Sequence, residues 1–259
     1  MAIDFFDPKD IQRIYELEDS EVQAYVAKLK NKLERYLLGI SKDITKKGAD
    51  IQLRELITQL DKLSVASLPE DILAEVNKVT TLYQSRINTL EEAFARVADA
   101  TKIFNAKDSE TITRLIGYDQ ANILTTIDGT FNEFKQITFR GRISGQLPDL
   151  AQTGADILDG FESKLPAELN TQLAAFQRSV SMSKADELEL THFLYAGGTI
   201  KTSRQFCIER ANKIFTLEET QSWDNEQDLP VIPYLGGYNC RHSMVFMTKD
   251  KAVEKGWTE

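Results

Sequence analysis

The chain has 259 residues, 42% hydrophobic and 27% charged, with a formal net charge of −9. That length supplies one large domain or two small ones, and the composition is ordinary for a soluble folded protein. The acidic balance argues against a whole-protein electrostatic grip on DNA or RNA. The opening MAIDFFDPKD lacks the basic and apolar regions of a signal peptide. No stretch approaches the roughly 20 apolar residues of a membrane span, so the expectation is a cytosolic chain whose cysteines are reduced.

In chain order, Asp7 can cap a helix with Pro8 at its first position. Apolar residues then recur at spacings of three and four: Ile11, Ile14, Leu17 or Glu18, Val22, Tyr25, Val26, Leu29, Leu33, Tyr36 and Leu37. That is the stripe of a long amphipathic helix, with Gly39 as its expected end and SKDITKKGAD as a turn region with room for a last helical turn. Ile51–Leu63 repeats the helical pattern, SVASLPED connects, and residues 72–104 predict one long helix or two stacked ones. Residues 108–137 predict shorter helices broken at Gly117 and Gly129, and Phe139–Asp149 reads as a loop or hinge. Asp149–Phe161 and Pro166–Leu190 predict two more helices, the second with Pro166 at N1.

The texture changes at His192. THFLYAGGTIKTSRQFC sets β-branched and aromatic residues around a Gly-Gly pair, a strand–turn signature. TLEETQSW predicts a short helix with Thr216 and Glu219 as a capping box, and the rest returns to loop and strand. The predicted fold is mainly α. An elongated helical bundle or hairpin (1–150) and connecting helices (151–191) precede a compact α+β module (192–259).

The chain has two cysteines and two histidines, and none of them lies before residue 192. Two thiolates and two imidazoles from His192, Cys207, Cys240 and His242 suit tetrahedral zinc, and a small module gains most from such a staple. Against this, no tight C-x-x-C pair is present, and spacing alone favours small buried cysteines with hydrogen-bonded histidines. A Cys207–Cys240 disulfide would close a long loop, worth roughly 3–4 kcal/mol, but a reducing compartment disfavours it. Cysteine nucleophilic catalysis lacks a third group and an oxyanion hole, so no catalytic residue is assigned. The Gly pairs in YAGGT and LGGYN match no phosphate-binding pattern and read as tight turns. The basic islands in FRGRISG, KNKLER and ITKKG read as solvated faces.

One stretch carries a resemblance. Tyr195, Gly197 and Gly198 are followed by Thr202, Ser203, Arg204, Phe206 and Cys207. Lys213–Thr216, then Glu218, Glu219 and Trp223, and finally Asn239, Cys240, Arg241 and His242 complete the series. These linked elements, in this order, resemble the C-terminal module of tailed-phage minor head proteins, the phage Mu F-like head morphogenesis family. Asn212 stands where that family has Gly, a mild departure because Asn tolerates positive φ. The resemblance covers Phe193 to about Thr248. The helix Pro166–Leu190 is similar to the one before that module, and residues 1–150 are not covered.

The resemblance implies a structural minor head protein of a phage or prophage, in the virion and in the host cytoplasm during assembly. Portal or capsid proteins would be its partners, with packaged DNA nearby but no specific nucleic-acid binding, no membrane and no catalysis. A homo-oligomer is left open. An assembly-stage scaffold or chaperone is the alternative, and a toxin-associated Mu F-like protein a weaker one. The family's last position alternates between Cys and His, which are interchangeable as zinc ligands. That brings a structural zinc site at Cys207, Cys240 and His242 level with the purely structural reading, with His192 as fourth ligand only if its strand brings it close.

Overall fold

The computed structural model describes residues 4–47, 51–98 and 106–258. Long helices come first: α1 (Pro8–Thr45), α2 (Leu53–Leu60), α3 (Glu70–Asn77), α4 (Val79–Ala98), α5 (Ala106–Ile143) and α6 (Leu150–Glu187). A small antiparallel sheet with short helices follows: β1 (His192–Ala196), α7 (Gln205–Arg210), β2 (Ile214–Thr216), α8 (Val231–Tyr234), β3 (Ser243–Met247) and α9 (Lys249–Glu254). The mainly α class with a small C-terminal α+β portion is therefore as the sequence predicts. Among the described residues no helix is long and apolar enough to cross a membrane.

Three helices run through positions that single residues mark as breaks. α1 passes Gly39 because Leu33, Leu37, Ile40 and Ile44 continue one buried stripe. α5 is continuous through Gly117 and Gly129, where shorter helices were expected. Ile112, Ile123, Ile127, Phe131 and Phe134 are buried along it, and that burial outweighs the roughly 1 kcal/mol cost of each glycine. α6 is likewise one helix rather than two: Asp149 caps it by accepting from the Ala151 and Gln152 amides, and Pro166 lies inside it. Leu158, Phe161, Leu165, Leu169 and Leu173 are buried on either side of that proline. By contrast, residues 70–98 form two helices parted at Lys78, and the expectation for residues 99–104 lies outside the described residues.

The chain divides into two compact units. One comprises Gln23–Thr80 and Ile116–Pro166, the other Met1–Val22, Thr81–Leu115 and Ala167–Glu259. The first unit is built from apolar stripes. Tyr36 packs on Phe131, with ring centroids 5.9 Å apart. Gly154 lies where a Cβ would touch Leu37 and Phe134, so α6 passes close to those side chains. Lys30 bridges Asp159 and Glu162 at 2.6 and 2.5 Å, and the Tyr25 hydroxyl donates to the Val76 carbonyl at 3.1 Å.

In the second unit Tyr83 meets Phe176 edge to face at 4.8 Å. The ambiguous position of the α1 stripe resolves in favour of charge: Leu17 is exposed, while Glu18 is buried against Arg86 at 3.2 Å. Burial pushes the Glu18 carboxyl up to about 7, with the Arg86 guanidinium opposing the rise.

The sheet of this unit has the order β2-β1-β3, both pairings antiparallel. Successive residues of β1 point to opposite faces. One face carries Leu194 and Ala196, which pack with Ile11, Met247 and Ala252. The other carries Phe193 and Tyr195, which meet Phe246 and Trp223. Beyond β2 the expected capping box is present around a 3₁₀ turn at Glu219–Ser222. The Thr216 amide donates to the Glu219 carboxylate at 2.6 Å, and the Glu219 amide to the Thr216 hydroxyl at 3.3 Å.

Candidate metal centre

Cys207, Cys240 and His242 meet in the second unit, and all three are buried. Cys207 lies in the first turns of α7, with Arg204 at the N-cap of that helix. Cys240 and His242 lie on the segment entering β3. The two Sγ atoms are 3.8 Å apart, Cys240 Sγ is 3.6 Å from His242 Nδ1, and all three ligand atoms fall within 4.8 Å of one another. Both cysteines are free thiols.

These distances test the donor set. With bonds of about 2.3 Å to sulfur and about 2.0 Å to nitrogen, a tetrahedral ion separates two thiolates by roughly 3.8 Å and a thiolate from an imidazole nitrogen by roughly 3.5 Å. Two of the three edges already have those lengths. The group can hold a metal ion.

Its surroundings are built from glycine and one arginine. A Cβ on Gly236 would run into Cys207 Sγ, and one on Gly197 (φ 142°) into the His242 ring. Each Gly-Gly pair therefore lets backbone approach the cluster from its own side, which is a packing requirement beyond a tight turn. Arg178 of α6 is fully buried and donates to the carbonyls of His242 (2.8 Å), Pro233 (2.6 Å) and Cys240. It thereby fixes a turn that also contains Leu235 and Asn239 at positive φ. Thr171 accepts from the Asn239 amide at 2.9 Å, and Arg204 donates to the Tyr238 carbonyl at 2.7 Å.

The electrostatics divide the thiols. The hydrogen bond from Cys207 holds Cys240 well below the usual thiol range against the effect of burial, with His242 and Arg178 adding to it. The same bond, together with burial, pushes Cys207 up. Tyr195, whose hydroxyl is 3.4 Å from Cys207 Sγ and 3.9 Å from Cys240 Sγ, is pushed up chiefly by burial. Thiolate character thus concentrates on Cys240, the state in which a cysteine ligates a metal.

His192 is not part of the group. It lies three positions before Tyr195 on β1, and odd and even residues of a strand face opposite ways. Its ring packs edge to face on Trp257 at 4.5 Å, and its Nδ1 is 3.0 Å from the Thr191 hydroxyl. Arg178 and Gly236 were not singled out from the sequence. An arginine at a core position of α6 was the available signal for the first; the second sat within a pair read only as a turn.

Searched against models of protein families, against curated proteins and against solved structures, the chain gives no match.

Proposed function

We propose that the chain is a structural minor head protein of a tailed phage or prophage, assembling at the portal or inner capsid during head morphogenesis. In this reading the long helices supply contacts to other virion proteins, and the C-terminal portion is a docking and stabilising unit without catalysis. One observation supports it most. The residues that carry the resemblance also hold one another: Tyr195 reaches both thiols, and Trp223 packs on Phe193, Tyr195, Phe206 and Phe215. Thr216 and Glu219 cap each other, and Arg204 ties down Tyr238 beside Asn239 and Cys240. A series of motif elements that closes into one core is what an inherited module requires and a chance string does not. Mass spectrometry of purified particles tests the reading. The chain is expected in mature virions, enriched with the portal. Presence only in immature heads would make it a scaffold, and absence from all particles would overturn the proposal.

The metal of the Cys207, Cys240 and His242 group in this reading is zinc, in a structural role, given two cysteine sulfurs and an imidazole nitrogen with two of their three separations at tetrahedral length. Protein purified without chelator is expected to carry one zinc per chain, and Cys240→Ala to carry none. A full zinc complement in that variant would rule out this centre.

A further inference from the structure

A tetrahedral ion has four positions, and this cluster fills three: among the described residues no fourth Cys, His, Asp or Glu joins the group. The same three side chains line a cavity of about 360 Å³. Its wall continues through Tyr15 and Asp19 of α1 and through Arg204 and Arg241. Cavities of roughly 300–1,000 Å³ are the size of small-ligand pockets. The cluster is therefore joined to ligand-sized space, unlike the closed four-ligand arrangement of an ordinary structural zinc site.

The charges on that wall differ in how they are used: Glu16, also on the wall, accepts from the Gln12 side-chain amide at 3.1 Å. Arg241 is paired with Asp19 at 3.1 Å, and Asp19 also accepts from the Asn170 amide group at 2.9 Å. Arg204 donates one N–H to the Tyr238 carbonyl and, among the described residues, makes no ion pair. Its guanidinium has donors to spare, and Arg204 lines the same cavity as Cys207. A planar fork of that kind is matched by a carboxylate, which accepts two parallel N–H bonds or divides its two oxygens between a guanidinium and a metal.

We propose that this cavity is a binding site for a small carboxylate, with one oxygen completing the coordination of the metal held by Cys207, Cys240 and His242, and the other paired to Arg204. The inference rests on the metal reading above. It adds that the fourth position is exchangeable and that Arg204 selects what occupies it.

Cobalt(II) is the probe, because its spectrum reports thiolate ligation and coordination number separately. The full chain loaded with Co²⁺ is expected to show thiolate-to-cobalt charge transfer from two sulfurs and the intense visible bands of a four-coordinate ion. Titration with acetate should shift the visible bands saturably and leave the charge transfer intact. Arg204→Gln should still bind cobalt through two thiolates but need about ten times more acetate, and Arg204→Lys should recover part of the difference. A two-thiolate spectrum indifferent to acetate would overturn the open fourth position while leaving the metal centre standing. An acetate midpoint unchanged in Arg204→Gln would overturn the role of Arg204. Failure of the wild-type chain to bind cobalt through both sulfurs would overturn the metal reading and this proposal together.

Discussion

The two compact units solve the problem of burial in different ways. In the unit made of Gln23–Thr80 and Ile116–Pro166, helices bury ladders of Leu, Ile and Phe, and the polar contacts mostly sit at the edges. The other unit, which holds the three-stranded sheet, instead relies on buried polar groups: Arg178 holding three carbonyls, two thiols and an imidazole in contact, and Glu18 against Arg86 between helices. Apolar stripes tolerate substitution of one hydrocarbon for another. Buried polar groups do not, because losing one partner strands the rest. The first unit is defined by a pattern and the second by particular atoms.

Arg178→Met is the sharpest way to test that difference. It leaves three carbonyls, two of them in buried contacts, without their donor, at roughly 1–3 kcal/mol for each stranded group, and the expected loss is about 5 kcal/mol by chemical denaturation. Hydrogen exchange should show the loss of protection centred on residues 231–247. Equal loss in residues 26–37 would break the contrast between the units.

Leu33→Ala probes the apolar unit. Leu33 is fully buried, so the substitution is expected to cost about 4 kcal/mol through lost transfer energy and a cavity. Leu33→Met should cost less than about 1.5 kcal/mol. A Met variant as damaged as the Ala variant would mean that this unit too depends on particular shapes.

The smallest effect is a pH dependence. The folded chain raises Glu18 from its ordinary 4.5 to about 7. Between those values the folded state holds a proton that the unfolded state has released. Stability from this group is therefore fully present below about pH 4.5 and declines as pH rises through about 7, by on the order of 3 kcal/mol. Glu18→Gln should flatten that part of the stability–pH curve. In the other unit Glu75 moves oppositely: burial raises its carboxyl, but Lys78 and Lys32 outweigh burial and hold it below the usual range. A curve unchanged by Glu18→Gln would assign the slope to other groups.

How far the sequence could be read follows the same division. The α1 stripe from Ile11 to Leu37 is visible because a 3.6-residue period repeats over many turns, so one odd position hardly matters. The breaks at Gly39, Gly117, Gly129 and Pro166 were misplaced because a local preference worth about 1 kcal/mol for glycine was weighed without the burial that opposes it. The Thr216–Glu219 box was legible because its partners are three residues apart. Three of four metal-ligand candidates converge, and the fourth is excluded by strand parity, which no residue count reveals until His192 is placed on β1. Arg178 was illegible for a different reason: its acceptors are backbone carbonyls more than fifty residues away, and backbone leaves no mark in a sequence.

The glycine beside Cys207 has a practical consequence. With no side chain at residue 236, main chain covers the sulfur on that side, and an alkylating reagent arrives from the cavity that Cys207 lines. Both sulfurs of the cysteines belong to one compact unit, and the other unit contains none. The rate at which iodoacetamide modifies the unaltered chain thus reports on the sheet-bearing unit alone, with no label to introduce and no residue to change.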